Sequence, residues 1–149
     1  MKKITILIIA FFVTALATGQ QRFSKEQKEL QQTVVNMFEA FSNRDSMALK
    51  SYCFPDVTFY EYGQIWYIDS LIRKAITMNQ SADFKRINTF DFINVEADKT
   101  KAWLTYQLSS VITRDSKETV IQWLETVVLA IQDKQWKVKH LHSTLIKRS

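Results

Sequence analysis

Two short stretches of this 149-residue chain hold the side chains best suited to chemistry. In the first, Glu61 stands between Tyr60 and Tyr62, with Trp66 just beyond Gly63. A carboxylate among aromatic groups can move a proton next to a carbonyl, because an apolar surround raises its pKa towards the working pH. Strand alternation puts Phe59 and Glu61 on one face and Thr58, Tyr60 and Tyr62 on the other, so Glu61 points inward only if Phe59 does. The plainer alternative is a strand-end acid, solvated or paired with Arg44 or Lys50. In the second stretch, His140 and His142 lie two apart and share a strand face with Trp136 and Val138. Such histidines can hydrogen-bond or shuttle a proton. A metal would want a third ligand, and no further His or Cys cluster offers one, so neither a metal nor a cofactor is expected. Ser143 beside His142 faces the opposite way and is not its catalytic partner. Cys53, the single cysteine, reads as a buried structural thiol, since a reactive thiolate needs an electropositive, accessible site.

The elements that must position these groups follow from spacing. Ser24-Lys-Glu-Gln27 forms a capping box, and Leu30, Val34, Met37, Phe38 and Phe41 then recur at helical intervals. Asp45 caps a second, short helix through Met47, Ala48, Leu49 and Tyr52. Pro55 ends it, because a residue before proline leaves helical geometry. Val57 to Tyr62 has strand composition, Gly63 turns, and a third helix is expected from about Asp69 with Leu71, Ile72, Ala75 and Ile76 inward. Four long strands follow: 87–95, 102–113, 119–131 and 136–146. Short polar connections between them predict antiparallel hairpins, and their length predicts strong curling. The fold class is therefore α+β: three N-terminal helices packed on a strongly curved, mostly antiparallel sheet that forms a cone with an internal pocket.

Composition narrows the setting. Lys2 and Lys3 precede an uncharged apolar run from Ile4 to Ala15, and Ala17-Thr18-Gly19 supplies small residues before Gln20. Residues 1–19 are thus expected to be a signal peptide, too short to span a bilayer, leaving residues 20–149 as one exported domain, periplasmic or secreted. Removing Lys2 and Lys3 lowers the basic count from 20 to 18 against 15 acids. That mild surplus is not clustered, which argues against a nucleic-acid partner.

The order of elements resembles the nuclear transport factor 2-like superfamily, in particular its SnoaL-like and ketosteroid-isomerase-like members. The resemblance is carried by Phe38-Glu-Ala-Phe-Ser-Asn-Arg-Asp45, Asp56-Val-Thr-Phe-Tyr-Glu61 and Trp136-Lys-Val-Lys-His-Leu-His-Ser143. It implies that Glu61 falls where the isomerases place their general base. Met37 falls where they use a tyrosine to donate to the developing oxyanion, and Met cannot donate. The second oxyanion acid has no direct counterpart, Glu125 being a loose candidate. Each missing donor removes a few kcal/mol of transition-state stabilisation, which disfavours steroid isomerisation.

The expected function is the binding of a small apolar molecule in the cone. Its expected lining is Met37, Phe41 and Trp66, with Tyr60, Tyr62, Trp103 and Trp123 contributing or simply packing. A proton-transfer enzyme (isomerase, cyclase or dehydratase type) with Glu61 as base and His140 or His142 assisting is the alternative, and a structural or partner-binding dimer the third reading. On the strand 119–131 both alternating faces are apolar, so one should meet the helices and the other a second subunit, giving a homodimer through the sheet face.

Overall fold

The computed structural model describes residues 23–77 and 80–149, so the expected signal peptide, residues 1–19, lies outside the described residues. Helix α1 (Lys25–Ser42) opens with the expected reciprocal box: Gln27 N–H donates to Ser24 Oγ at 3.2 Å, and Ser24 N–H donates to Gln27 Oε1 at 2.8 Å. The Gln27 amide also donates to the Val95 carbonyl at 2.8 Å, tying the helix start to the sheet. Leu30, Val34, Met37, Phe38 and Ala40 form its buried stripe. Helix α2 (Ser46–Ser51) is capped by Asp45, which accepts from Ala48 N–H at 2.9 Å.

Strand β1 (Cys53–Glu61) starts four residues before the expected Val57. Pro55 is tolerated inside it because pairing with the last strand breaks between Cys53 and Thr58, where no ladder bond is asked of the missing N–H. A second strand, β2 (Gln64–Tyr67), was not expected and forms a hairpin with β1 about Tyr62 and Gly63. Both turn residues have positive φ, 52° and 69°, the combination a tight two-residue hairpin demands. Helix α3 (Ile68–Ile72) runs into a π-helical turn, Arg73–Thr77, and together they replace the single expected third helix.

The remaining chain is a meander of β3 (Lys85–Ala97), β4 (Lys101–Arg114), β5 (Lys117–Gln132) and β6 (Gln135–Arg148). The sheet has six strands in the order β2-β1-β6-β5-β4-β3; only the β1–β6 pair is parallel. Its inner face, with α1 across it, holds the core around Leu104, Leu108, Val127, Leu129 and Val138. Irregularities at Phe92/Asn94, Gln122/Trp123 and Val128/Leu129 bend the long strands, as bulges do.

One of these bulges corrects the sequence reading. Val128 faces His140 and Leu129 faces Val138, so Lys139 is an extra residue and the alternation of β6 restarts there. Val138, Leu141 and Ser143 are buried, whereas His140 and His142 lie on the outer face. The histidines therefore do not share a face with Val138.

Candidate functional site

The registers align one transverse row of inward side chains across five strands. Phe92 on β3 pairs with Tyr106 on β4, Tyr106 with Glu125 on β5, and Glu125 with Ser143 on β6. Tyr60 pairs with His142, which places Glu61 of β1 beside Ser143. Phe59 is buried and Glu61 half-buried, so the inward condition on Glu61 is met. Tyr106 is 0% exposed and Glu125 4% exposed.

A second polar group lies on the same face. Arg86 of β3 donates from Nε to Asn88 Oδ1 at 2.9 Å and from Nε and Nη2 to Ser110 Oγ at 3.2 and 3.1 Å. Ser110 donates to Asn88 Oδ1 at 2.6 Å, and Asn88 Nδ2 donates to Ser42 Oγ of α1 at 2.8 Å. The guanidinium lies 5.0, 5.5 and 5.6 Å from the ring centres of Phe41, Phe38 and Trp123. Phe90 and Phe92 stack at 5.7 Å beside Tyr106 and extend the aromatic wall. Arg86 is deeply enclosed yet keeps some accessible surface.

Three buried polar atoms among these groups have no hydrogen-bond partner: Glu125 Oε2, Tyr106 Oη and Trp123 Nε1. Glu125 Oε1 accepts from Ser143 Oγ at 2.6 Å. The Tyr106 hydroxyl lies close enough to bear on the Glu125 charge, without the geometry of a regular hydrogen bond.

Electrostatics follow from this enclosure. Burial pushes the Glu125 carboxyl up to about 7, opposed by the Ser143 and Tyr106 hydroxyls and the Arg86 charge and helped by Glu61. Burial also raises Glu61, opposed by Arg86 and Arg148. Desolvation lowers Arg86, while the charges of Glu125 and Glu61 hold it up; a guanidinium stays charged even so. Tyr106 is pushed far up by burial first and the neighbouring carboxylate second, so its hydroxyl keeps its proton.

The other sequence candidates are dispersed. Met37 is buried in the helix stripe and Phe41 lies against Arg86. Trp123 faces inward beside the cluster, but Trp103, one strand away, is 48% exposed on the outer face. Trp66 packs at the core edge with the Lys74 ammonium 4.3 Å from its ring centre. Tyr62 is 50% exposed and accepts from Arg148 Nη2 at 2.6 Å, and Tyr60 stands edge-on to the outer-face His140 ring at 4.7 Å. His140 Nδ1 is bonded to Thr58 Oγ1 at 2.8 Å, and partial burial lowers its pKa. Cys53 is buried and its thiol is pushed up to about 12 by desolvation, against a smaller pull from Lys137, so it stays protonated.

A cleft of about 180 Å³ opens where β1 leaves β6, bounded by Tyr60, Glu61, Gly63, Ile65, His142 and Ser143. It reaches the transverse row at Glu61 and Ser143. A larger open groove, about 530 Å³, lies between Glu29, Thr33, Ser51, Tyr52, Gln135 and Trp136. It is the bigger concavity, but it touches none of the perturbed or unpartnered groups of the row, so the chemistry belongs to the row.

Arg86, Ser110, Asn88 and Tyr106 were not among the sequence candidates. Glu125 entered from sequence only as a loose candidate for the second oxyanion acid; the stronger signal is the run Ile121, Trp123, Glu125, Val127, Leu129, in which one acid interrupts an otherwise apolar face. An unpaired charge at a core position is a functional flag.

No curated protein matches the chain by sequence. Solved structures match as folds. A hexachlorocyclohexane dehydrochlorinase of type 2 superposes with a TM-score of 0.70 at 12% identity, covering 83% of this chain and 87% of that one. A ketosteroid isomerase-like protein from Erwinia carotovora gives 0.67 at 14%, covering 84% and 99%. The CamKII hub homology domain from Chlamydamonas reinhardtii gives 0.73 at 18%, covering 83% and 100%. The cone, its helices and its mostly antiparallel sheet are thus a shared architecture, and one fold of this kind can host many unrelated functions. The SnoaL-like domain family matches residues 30–146, from the first buried turn of α1 to within two residues of the end of β6, and the chain belongs to that family.

Proposed function

We propose that the inner face of the sheet holds a recess that binds a small organic molecule, with a polar head at the Arg86–Tyr106–Glu125 cluster and a body against Phe41, Phe90 and Trp123. The observation that carries it is the grouping of three of the six unpartnered buried side-chain atoms among the described residues: Glu125 Oε2, Tyr106 Oη and Trp123 Nε1. Buried polar groups are nearly always satisfied, because an orphan costs on the order of 1–3 kcal/mol. Three on one wall around a cation are better explained by a ligand than by packing. This revises the wholly apolar ligand expected from sequence, since the inner wall carries charge. Export rests on the basic and apolar start of the chain, and a homodimer through the outer sheet face on the apolar residues there.

The test is native mass spectrometry and thermal-shift screening against small aromatic carbonyl and carboxylic compounds. A one-to-one adduct that Trp123→Ala weakens would support the recess. Binding that ignores Trp123 would move the site elsewhere.

A proton-transfer enzyme is the second reading, favoured by one specific observation. Glu125, with its carboxyl raised to about 7, is poised as a general base at neutral pH, and Arg86 and Tyr106 could stabilise a developing oxyanion. Glu61 then stands at the mouth rather than at the reacting centre. Base-catalysed deuterium exchange α to a carbonyl, lost in Glu125→Gln and kept in Glu61→Gln, is the expected outcome. The reverse pattern would restore Glu61 as the base.

A further inference from the structure

Arg86 is a largely enclosed cation without a counter-ion among the described residues. The ion pairs found there join Lys25 to Glu29, Lys50 to Asp69, Arg114 to Asp115 and Lys139 to Asp56, all at the surface, and none includes Arg86. Its hydrogen bonds go to the neutral Ser110 and Asn88 and use Nε and Nη2, leaving Nη1 unbonded to the described residues. Glu125 and Glu61 act on it only through space. A guanidinium enclosed this deeply is stable when an anion meets it, and its planar fork suits a carboxylate.

The groups facing Glu125 decide what such an anion would meet. They are Arg86 from β3, Tyr106 from β4, Ser143 from β6 and Glu61 from β1, while Phe38 and Phe41 of α1 lie against the Arg86 guanidinium. Oε1 already accepts from Ser143, and Oε2 is free. An ionised Glu125 would repel an incoming carboxylate. A protonated one would donate its O–H to it from Oε2. Tyr106 and Trp123 supply two more donors without partners, so an acceptor-rich ligand head is what the cluster lacks.

We propose that the recess is selective for organic carboxylates, held between the guanidinium edge of Arg86 and a protonated Glu125, so that binding takes up one proton. The proposal rests on the recess being the ligand site and names the class of molecule it takes. The proton comes from solvent and rests on Glu125 Oε2, shared in a hydrogen bond with the bound carboxylate. Burial already favours the protonated form of Glu125, and the added negative charge strengthens that preference.

Phenylacetate and phenylacetamide are a suitable probe pair, equal in shape and differing in charge. Titration calorimetry of the full chain at pH 6 and pH 8 in buffers of different ionisation enthalpy measures affinity and proton uptake together. Phenylacetate should bind at least about tenfold tighter than the amide, weaken about tenfold per pH unit once Glu125 ionises, and take up close to one proton at pH 8. Glu125→Gln should flatten that pH dependence, and Arg86→Met should erase the preference for the acid over the amide. Circular dichroism confirms folding of each variant, and proton uptake by the unmodified chain needs neither. Equal affinity for acid and amide, or binding without proton uptake, overturns the proposal while leaving the recess in place. Failure of both compounds to bind, with Trp123→Ala without effect on any ligand, overturns the recess and the proposal together.

Discussion

At the scale of single residues, Glu125 has the clearest thermodynamic consequence. Its carboxyl is raised from the ordinary 4.5 to about 7, so the folded state binds a proton more tightly than the unfolded chain. The stability that proton contributes is present below the unfolded pKa and is lost as pH rises through the folded one. Between about pH 4.5 and 7.5 the chain should lose about 3 kcal/mol relative to Glu125→Gln, since each pH unit across that window costs about 1.4 kcal/mol. Urea unfolding of both proteins at pH 5 and pH 8 measures it; parallel pH profiles would show that Glu125 ionises freely when folded. Glu61 stood out in the sequence because a family resemblance pointed at it, but its direction was tied to that of Phe59 and settled only by the burial of Phe59 in the fold. Arg86 was not legible. An arginine next to Lys85 and two residues from Asn88 looks solvated until the curvature of the sheet closes aromatic rings over it. The same holds for the row from Glu61 to Phe92, which exists only through the registers of five strands.

At the scale of elements, caps and turns were the most readable parts. The capping box at Ser24 and the Asp45 cap appear as expected because both depend on side chains within three residues of the amides they satisfy. Asp45→Ala should cost about 1 kcal/mol, the usual worth of an N-cap, and lower the melting temperature without moving the sheet. Gly63 gives a cleaner test of backbone strain. Its φ is +69°, and a Cβ placed there would meet nothing within 4 Å. Gly63→Ala should therefore cost only the left-handed backbone penalty, about 1 kcal/mol, with the β1–β2 hairpin intact by amide chemical shifts. A larger loss would mean that the hairpin also responds to its neighbours. Bulges were the unreadable part, because they arise from conflict between the lengths of paired strands rather than from a local residue signal. The bulge at Lys139 turned His140 and His142 outward, and no period-two reading could have placed it.

At the scale of the whole molecule, the proposed homodimer through the outer face of the sheet can be tested directly. Trp103 pairs with Val128, which pairs with His140; further along, Gln107, Leu124 and Thr144 form a parallel row. Trp103 is 48% and Leu124 40% exposed. Large exposed apolar side chains gathered on one face can mark an interface, and a second copy related by a two-fold axis would cover the same patch on both subunits. A self-complementary contact centred on Trp103 should lose at least about 2 kcal/mol when that anchor becomes charged, since large aromatic groups dominate such interfaces. Trp103→Glu is therefore expected to raise the dimer dissociation constant about 30-fold or more, at about 1.4 kcal/mol per factor of ten. Sedimentation equilibrium of the chain without its first 19 residues reads that change. Because Trp103 and the Glu61–Phe92 row lie on opposite faces, the dissociated variant should still bind ligand in the recess with unchanged affinity. A wild-type chain that sediments as a monomer at about 100 µM, a level at which weak dimers still form, would remove the sheet face as a self-interface. A variant that loses ligand along with its partner would show that assembly shapes the recess.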